Sequence, residues 1–127
     1  MKRLLLLCLF SIACNASELF LPALPATAEA YTPPAIYQEW YQIAKVCVAS
    51  VDEIRHDIGS AAGAYWFVVS DSAWQSDRHG AYDKYHNAFW IAERQINSQY
   101  TINHELIHSF GYSNAYHERQ PFTACDL

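Results

Sequence analysis

HELIHSFGYSNAYH, His104 to His117, is the stretch on which the reading of this chain turns. Side chains four apart on a helix project side by side, so His104 and His108 present two imidazoles on one face. Imidazole nitrogens bind zinc at about 2.0–2.1 Å, and a zinc site that does chemistry takes three protein ligands and leaves a fourth position for water. Glu105 is turned by roughly 100° from His104 around the helix. Its carboxylate flanks that fourth position, where a general base is needed. Ile102, Leu106 and Phe110, spaced by four, form an apolar stripe on the other side. The stripe buries the helix and leaves the histidine face toward a cleft.

A third ligand is then required. H-E-x-x-H-x-x-G follows the metzincin pattern through Gly111, but position 114 is Asn, a neutral amide and a weak zinc ligand. No methionine follows Met1, so a Met-turn is absent as well. His117 is the better candidate. Gly111 ends the helix, and the chain from there to His117 spans up to roughly 20 Å when extended, enough to loop back to the metal. Glu118 and, more remotely, Asp126 are the alternatives.

The flanking sequence supplies a small α+β domain. Pro33 and Pro34 stand where a helix starts, and Ile36, Trp40, Ile43, Cys47 and Val48 recur at steps of three and four. The spacing predicts a helix from about Pro34 to Ser50 with those residues on its buried stripe. AYWFVVSD (64–71) and HNAFWIAERQ (86–95) have the β-branched and aromatic density of strands. The turn-rich stretch 71–85 between them reads as a long loop with room for a strand fragment. Residues 97–111 form the histidine-bearing helix, capped by Asn97 or Ser98 and closed by Gly111 at C′. Helix, strand, loop, strand, helix and tail make one small sheet with helices against it.

The 127 residues suffice for one domain. MKRLLLLCLFSIAC opens with Lys2 and Arg3 and runs apolar from Leu4 to Ala13, as a secretory signal does. Cleavage after Ala16 gives a signal at 1–16; alternatively S-I-A-C resembles a bacterial lipobox, with the signal ending at 13 and Cys14 lipidated. Residues 17–32, rich in Ala and Pro, read as a linker, and 33–127 as the folded domain. Under either cut Cys47 and Cys125 remain as a pair, and an even remainder in an exported chain reads as one disulfide. Closing so long a loop is worth about 4–5 kcal/mol in the loop-entropy account. Without Lys2 and Arg3, six Lys and Arg stand against thirteen Asp and Glu, a difference of −7. No basic run exists, which argues against nucleic acid as a partner. His56, His79 and His86 lack ligand spacing and read as solvated loop residues.

From Tyr100 to Cys125 the sequence resembles short exported bacterial zinc metallopeptidases of the zincin (HExxH) type. That group has H-E-x-x-H, a loop, then His followed by Pro, Phe and a terminal Cys. Here these are His104, Glu105, His108, His117, Pro121, Phe122 and Cys125, with Trp40 and Cys47 matching the upstream helix. The chain departs at Glu118, where proline is expected sooner. The resemblance implies a minimal zincin-like fold with a disulfide-tethered C-terminal loop and one zinc per chain held by His104, His108 and His117. It also implies hydrolysis of a peptide or protein substrate, with Glu105 as base. In zincins the strand before the active-site helix lines the cleft and substrate adds to its edge, which assigns the edge to Asn87–Glu93. The expected setting is secreted, periplasmic or lipid-anchored, with membrane contact only through the anchor. The rival reading is an exported binding module with a structural or vestigial zinc site.

Overall fold

The structure, a computed structural model, describes residues 28–74 and 77–126. The signal segment, Cys14 and most of the linker lie outside the described residues. Within them the fold is α+β: three helices and a four-stranded mixed sheet, with a disulfide tying down the C-terminal segment.

Helix α1 spans Ala35–Val51, with Pro34 in the N-cap position at φ −67°, the value its ring imposes. The buried residues of α1 are Tyr37, Tyr41, Ala44 and Val48. This corrects the expected stripe by about one residue of rotation: Val48 is buried, whereas Ile36 is exposed and Ile43 is 51 % exposed. The tyrosines win because each buries a ring and still satisfies its hydroxyl. Tyr37 donates to the Ile96 carbonyl at 2.5 Å, and Tyr41 donates to the Asp57 carboxylate.

The sheet consists of β1 (Glu29–Ala30), β2 (Tyr65–Val69), β3 (Gly80–Asp83) and β4 (Ala88–Ala92) in the order β1-β2-β4-β3. β2 and β4 are the two predicted strands, trimmed at their ends, and they pair in parallel, Phe67 against Trp90. β3 lies inside the segment read as a loop and pairs antiparallel with β4 through a turn in which Asn87 takes φ 48°. The expectation that Asn87–Glu93 forms an open edge is therefore overturned. β4 is central, with β2 on one side and β3 on the other, and the strand at the cleft-side edge is β3. Every residue of β4 is buried, as a strand covered on both faces must be.

Alternation on the strands feeds two apolar layers. Trp66, Phe89 and Ile91 join the main core with Tyr37, Tyr41 and Val48 of α1 and with α2 (Gln99–Ser109). There Trp66 stacks on Phe89 with centroids 4.1 Å apart. On the opposite face Val69, Trp74, Ala88, Trp90 and Ala92 form a smaller cluster. Phe89 and Trp90, neighbours in the chain, are thus both core, one on each face of the sheet. Each large side chain so buried contributes about 1.5–3 kcal/mol.

α2 begins at the Ser98 cap, whose hydroxyl accepts from Thr101 N at 3.3 Å, and stops where Gly111 takes φ +103°. Ile102, Leu106 and Phe110 are fully buried, as the spacing requires. The expected C-terminal loop is instead closed by a short helix, α3 (Phe122–Cys125), joined to α1 by the Cys47–Cys125 disulfide with Cα atoms 5.7 Å apart. The bond points to an oxidising setting outside the cytoplasm. No described helix is long and apolar enough to cross a membrane.

Candidate metal centre

His104 and His108 leave α2 on the same side, and each has its Nδ1 engaged. His104 Nδ1 lies 2.9 Å from Asp126 Oδ2, and His108 Nδ1 lies 2.6 Å from the Tyr112 carbonyl oxygen. A neutral imidazole that donates through Nδ1 keeps its lone pair on Nε2. Both Nε2 atoms are thus left for another partner.

The third imidazole arrives from the loop beyond α2. Phe110 closes the helix, and its carbonyl accepts from both Arg55 N and His56 N, at 3.1 and 3.0 Å. The Arg55 guanidinium then lies 4.6 Å from the Tyr112 ring centre and 4.8 Å from that of Tyr116, while Nη1 donates to the Tyr116 hydroxyl at 2.9 Å. So held, the turn Asn114–Tyr116 delivers His117 with its Nε2 3.0 Å from His108 Nε2. His104, His108 and His117 form a cluster whose ligand atoms all lie within 4.8 Å of one another. Phe122 floors it, its ring centre 4.9, 4.9 and 5.0 Å from those of His104, His108 and His117.

The donor set fits a metal ion. Burial, aided by repulsion from His104 and His117, pushes His108 down to about 4, so this imidazole is neutral at neutral pH. Burial, with His104 nearby, lowers His117 as well. His104 moves the other way: burial opposes its charge, but the Asp126 hydrogen bond and the Glu105 and Asp126 charges outweigh it and raise the pKa. Asp126 Oδ1 is buried without a hydrogen-bond partner among the described residues. A carboxylate left so is best compensated by a cation on the far side of His104.

Glu105 is 5 % exposed and has no ion-pair partner among the described residues. Desolvation lifts its pKa to about 7 against the lowering effect of His104. It lines a cavity of about 370 Å³ between the strand side, Arg78 to Gly80, and the helix side, Tyr100 and His104. A Cβ on Gly80 would sit 2.8 Å from Glu105 Oε1 and 2.9 Å from its Cγ, so only glycine lets the backbone of β3 approach this closely.

Asn114 and Glu118, weighed as ligands, are exposed, and Glu118 is not in the cluster. Asp126 stands behind His104 rather than in the cluster. Of the three histidines read as solvated, His79 is exposed but lines the cavity, and His86 pairs with Asp83. Sequence reasoning passed over Gly80, Arg55 and the part played by the Tyr112 carbonyl. None of these has a short-range signature, since each acts on a residue far away in the chain or through its backbone. Comparison with known protein families, curated proteins and solved structures finds no match to this chain.

Proposed function

We propose that the protein is an exported zinc-dependent peptidase of the zincin type. His104, His108 and His117 would hold the ion, and Glu105 would act as general base. Zinc bound there supplies Lewis acidity toward water and a carbonyl. The residues of the chain do the rest. Asp126 and the Tyr112 carbonyl fix the two helix imidazoles with Nε2 inward. Glu105 accepts a proton on its carboxylate and returns it to the leaving amine. Burial makes this carboxylate a stronger base than an exposed one, which suits the acceptance of that proton. β3 ends the sheet beside the cavity, so one side of its backbone is open to pairing with an extended peptide.

The observation that carries this reading is the buried Glu105 carboxylate at the cavity wall, beside His104 of the three-histidine cluster. A binding module with a structural metal has no use for a desolvated carboxylate there, and burying one without a partner is costly. The disulfide and the N-terminal apolar run support export, secreted or lipid-anchored through Cys14. Zinc stoichiometry measured together with hydrolysis of a mixed peptide library tests the reading. One zinc per chain with cleavage supports the peptidase. One zinc without cleavage leaves the binding module.

A further inference from the structure

The geometry points to Asp126 as a positioning residue for the ligand His104, held in place by the Cys47–Cys125 disulfide, so that the metal affinity of the cluster depends on that bond. The inference rests on the reading of the three-histidine cluster as a metal site.

Asp126 directly follows the disulfide-bonded Cys125, and its Oδ2 meets His104 Nδ1 at 2.9 Å. The bond fixes the tautomer and the rotation of the ring, which together aim Nε2 at His108 and His117. A carboxylate behind a ligating imidazole also strengthens it as a donor. Oδ1 makes no hydrogen bond to any described residue although it is buried. Besides His104, the Tyr100 hydroxyl meets the carboxylate, from a side chain that is itself half exposed.

What fixes it is covalent. Asp126 follows Cys125 directly, and α3 is only Phe122–Cys125. A single turn of helix has no stability of its own, because nucleation is unfavourable. Backbone bonds from Cys125 N to Pro121 O at 2.9 Å and from Asp126 N to Phe122 O at 3.0 Å shape the turn but do not anchor it to the domain. The anchors are the disulfide to α1 and the Phe122 ring under the three imidazoles. With the bond cut, Asp126 is held through the exposed stretch 117–120 and the Phe122 ring alone. Its effective concentration at His104 then falls.

The test measures zinc affinity of the full oxidised chain by competition with a chromophoric chelator. Asp126→Ala should weaken zinc by about 10–100-fold, the usual cost of losing such a partner. Asp126→Asn should fall between, since the amide oxygen still accepts the bond but the charge is gone. Inserting one glycine between Cys125 and Asp126 keeps disulfide, fold and carboxylate yet displaces the carboxylate, and should match Asp126→Ala. Cys47→Ala/Cys125→Ala should weaken zinc, and adding Asp126→Ala to it should cost little more, because both act through one contact. Should the cysteine variant not fold, the rate of zinc loss from the wild type on cleavage of the disulfide by a phosphine replaces it, with faster loss expected. Wild-type affinity in Asp126→Ala, additive losses in the cycle, or unchanged release on reduction would each overturn the inference while leaving the metal site standing. A wild-type chain that takes no zinc would overturn both.

Discussion

Gly80 and Glu105 press together across the cleft, with no room for even a methyl group between the backbone of β3 and the carboxylate. The clash falls on the Glu105 side chain from Cγ outward and not on backbone, so Gly80→Ala should be absorbed by moving Glu105 rather than by unfolding β3. Thermal stability should change by no more than about 1 kcal/mol, within the range of ordinary substitutions. Peptide hydrolysis should drop at least tenfold while zinc affinity holds, because no imidazole is touched. Comparison of melting temperature, zinc titration and peptide turnover in the one variant checks all three parts.

Glu105→Gln keeps shape and helix but removes the base. Zinc binding should survive, and hydrolysis should fall by roughly 10²–10⁴-fold, the worth of general acid–base catalysis. The acid limb of the wild-type profile follows from the same group. Burial lifts Glu105 to about 7 in the bare site, and a bound cation favours the charged form and pulls it down. Turnover should therefore decline as the pH falls through a midpoint at or below 7, and in Glu105→Gln the residual turnover should fall only with release of the metal. Equal turnover in the two proteins would remove Glu105 from the mechanism.

The sequence-level reading succeeds where one local period decides the outcome. Ile102, Leu106 and Phe110 can only face inward, Ser98 can cap, and Gly111 can take a positive φ, so α2 emerges with its histidine face where expected. It fails where two apolar stripes compete. On α1 the aliphatic Ile36 and Ile43 lose to Tyr37 and Tyr41, whose hydroxyls find Ile96 and Asp57 across the fold. Those acceptors are invisible from the helix alone. Strand order fails for a similar reason, since pairing is non-local, although the unbroken apolar run AFWIA is what a strand covered on both faces looks like. Of the site, His104 and His108 are legible because their spacing is a local code, and His117 because the chain after Gly111 is long enough to return to them. Gly80 and the placement of Asp126 are not, because one depends on a strand packed across the cleft and the other on a disulfide spanning the domain.

Asp57 offers a pH test away from the three-histidine cluster. Lys45 Nζ lies 2.6 Å from its Oδ2, and hydrogen bonds from Lys45 and then Tyr41 hold the carboxyl down to about 2. An unfolded Asp titrates near ~3.9. A folded pKa below that value means the stabilisation is complete above pH ~4–5 and is lost as the pH falls through about 2. Asp57→Asn should therefore cost stability at pH 7 and progressively less below pH ~4. The group is about a third exposed, so screening limits the cost to about 1 kcal/mol or less. Denaturant midpoints of both proteins at pH 7 and pH 3 should converge toward the acid end; a gap that widens would contradict the assignment.

The ligand set is the sharpest division between local reading and fold. His117 is exposed and sits on a loop, yet its Nε2 lies 3.0 Å from that of His108, whereas Asn114, at the position the metzincin pattern would use, opens an exposed turn. His117→Ala should weaken zinc by several orders of magnitude, since two imidazoles make an incomplete site. Asn114→Ala and Glu118→Gln should leave the affinity within about twofold of wild type, because exposed side chains outside the cluster are screened by solvent and salt. Arg55→Ala should fall between: the Phe110 carbonyl keeps its two backbone donors, but the ring contacts that place Tyr116, and with it His117, are lost. Acidification should release the metal from all of them, first by protonating His104, whose pKa is raised, and only later His108, held near 4. Zinc titrations across the four variants, repeated from pH 7.5 downward, check the order. An Asn114 or Glu118 variant that loses zinc while His117→Ala retains it would reassign the third ligand.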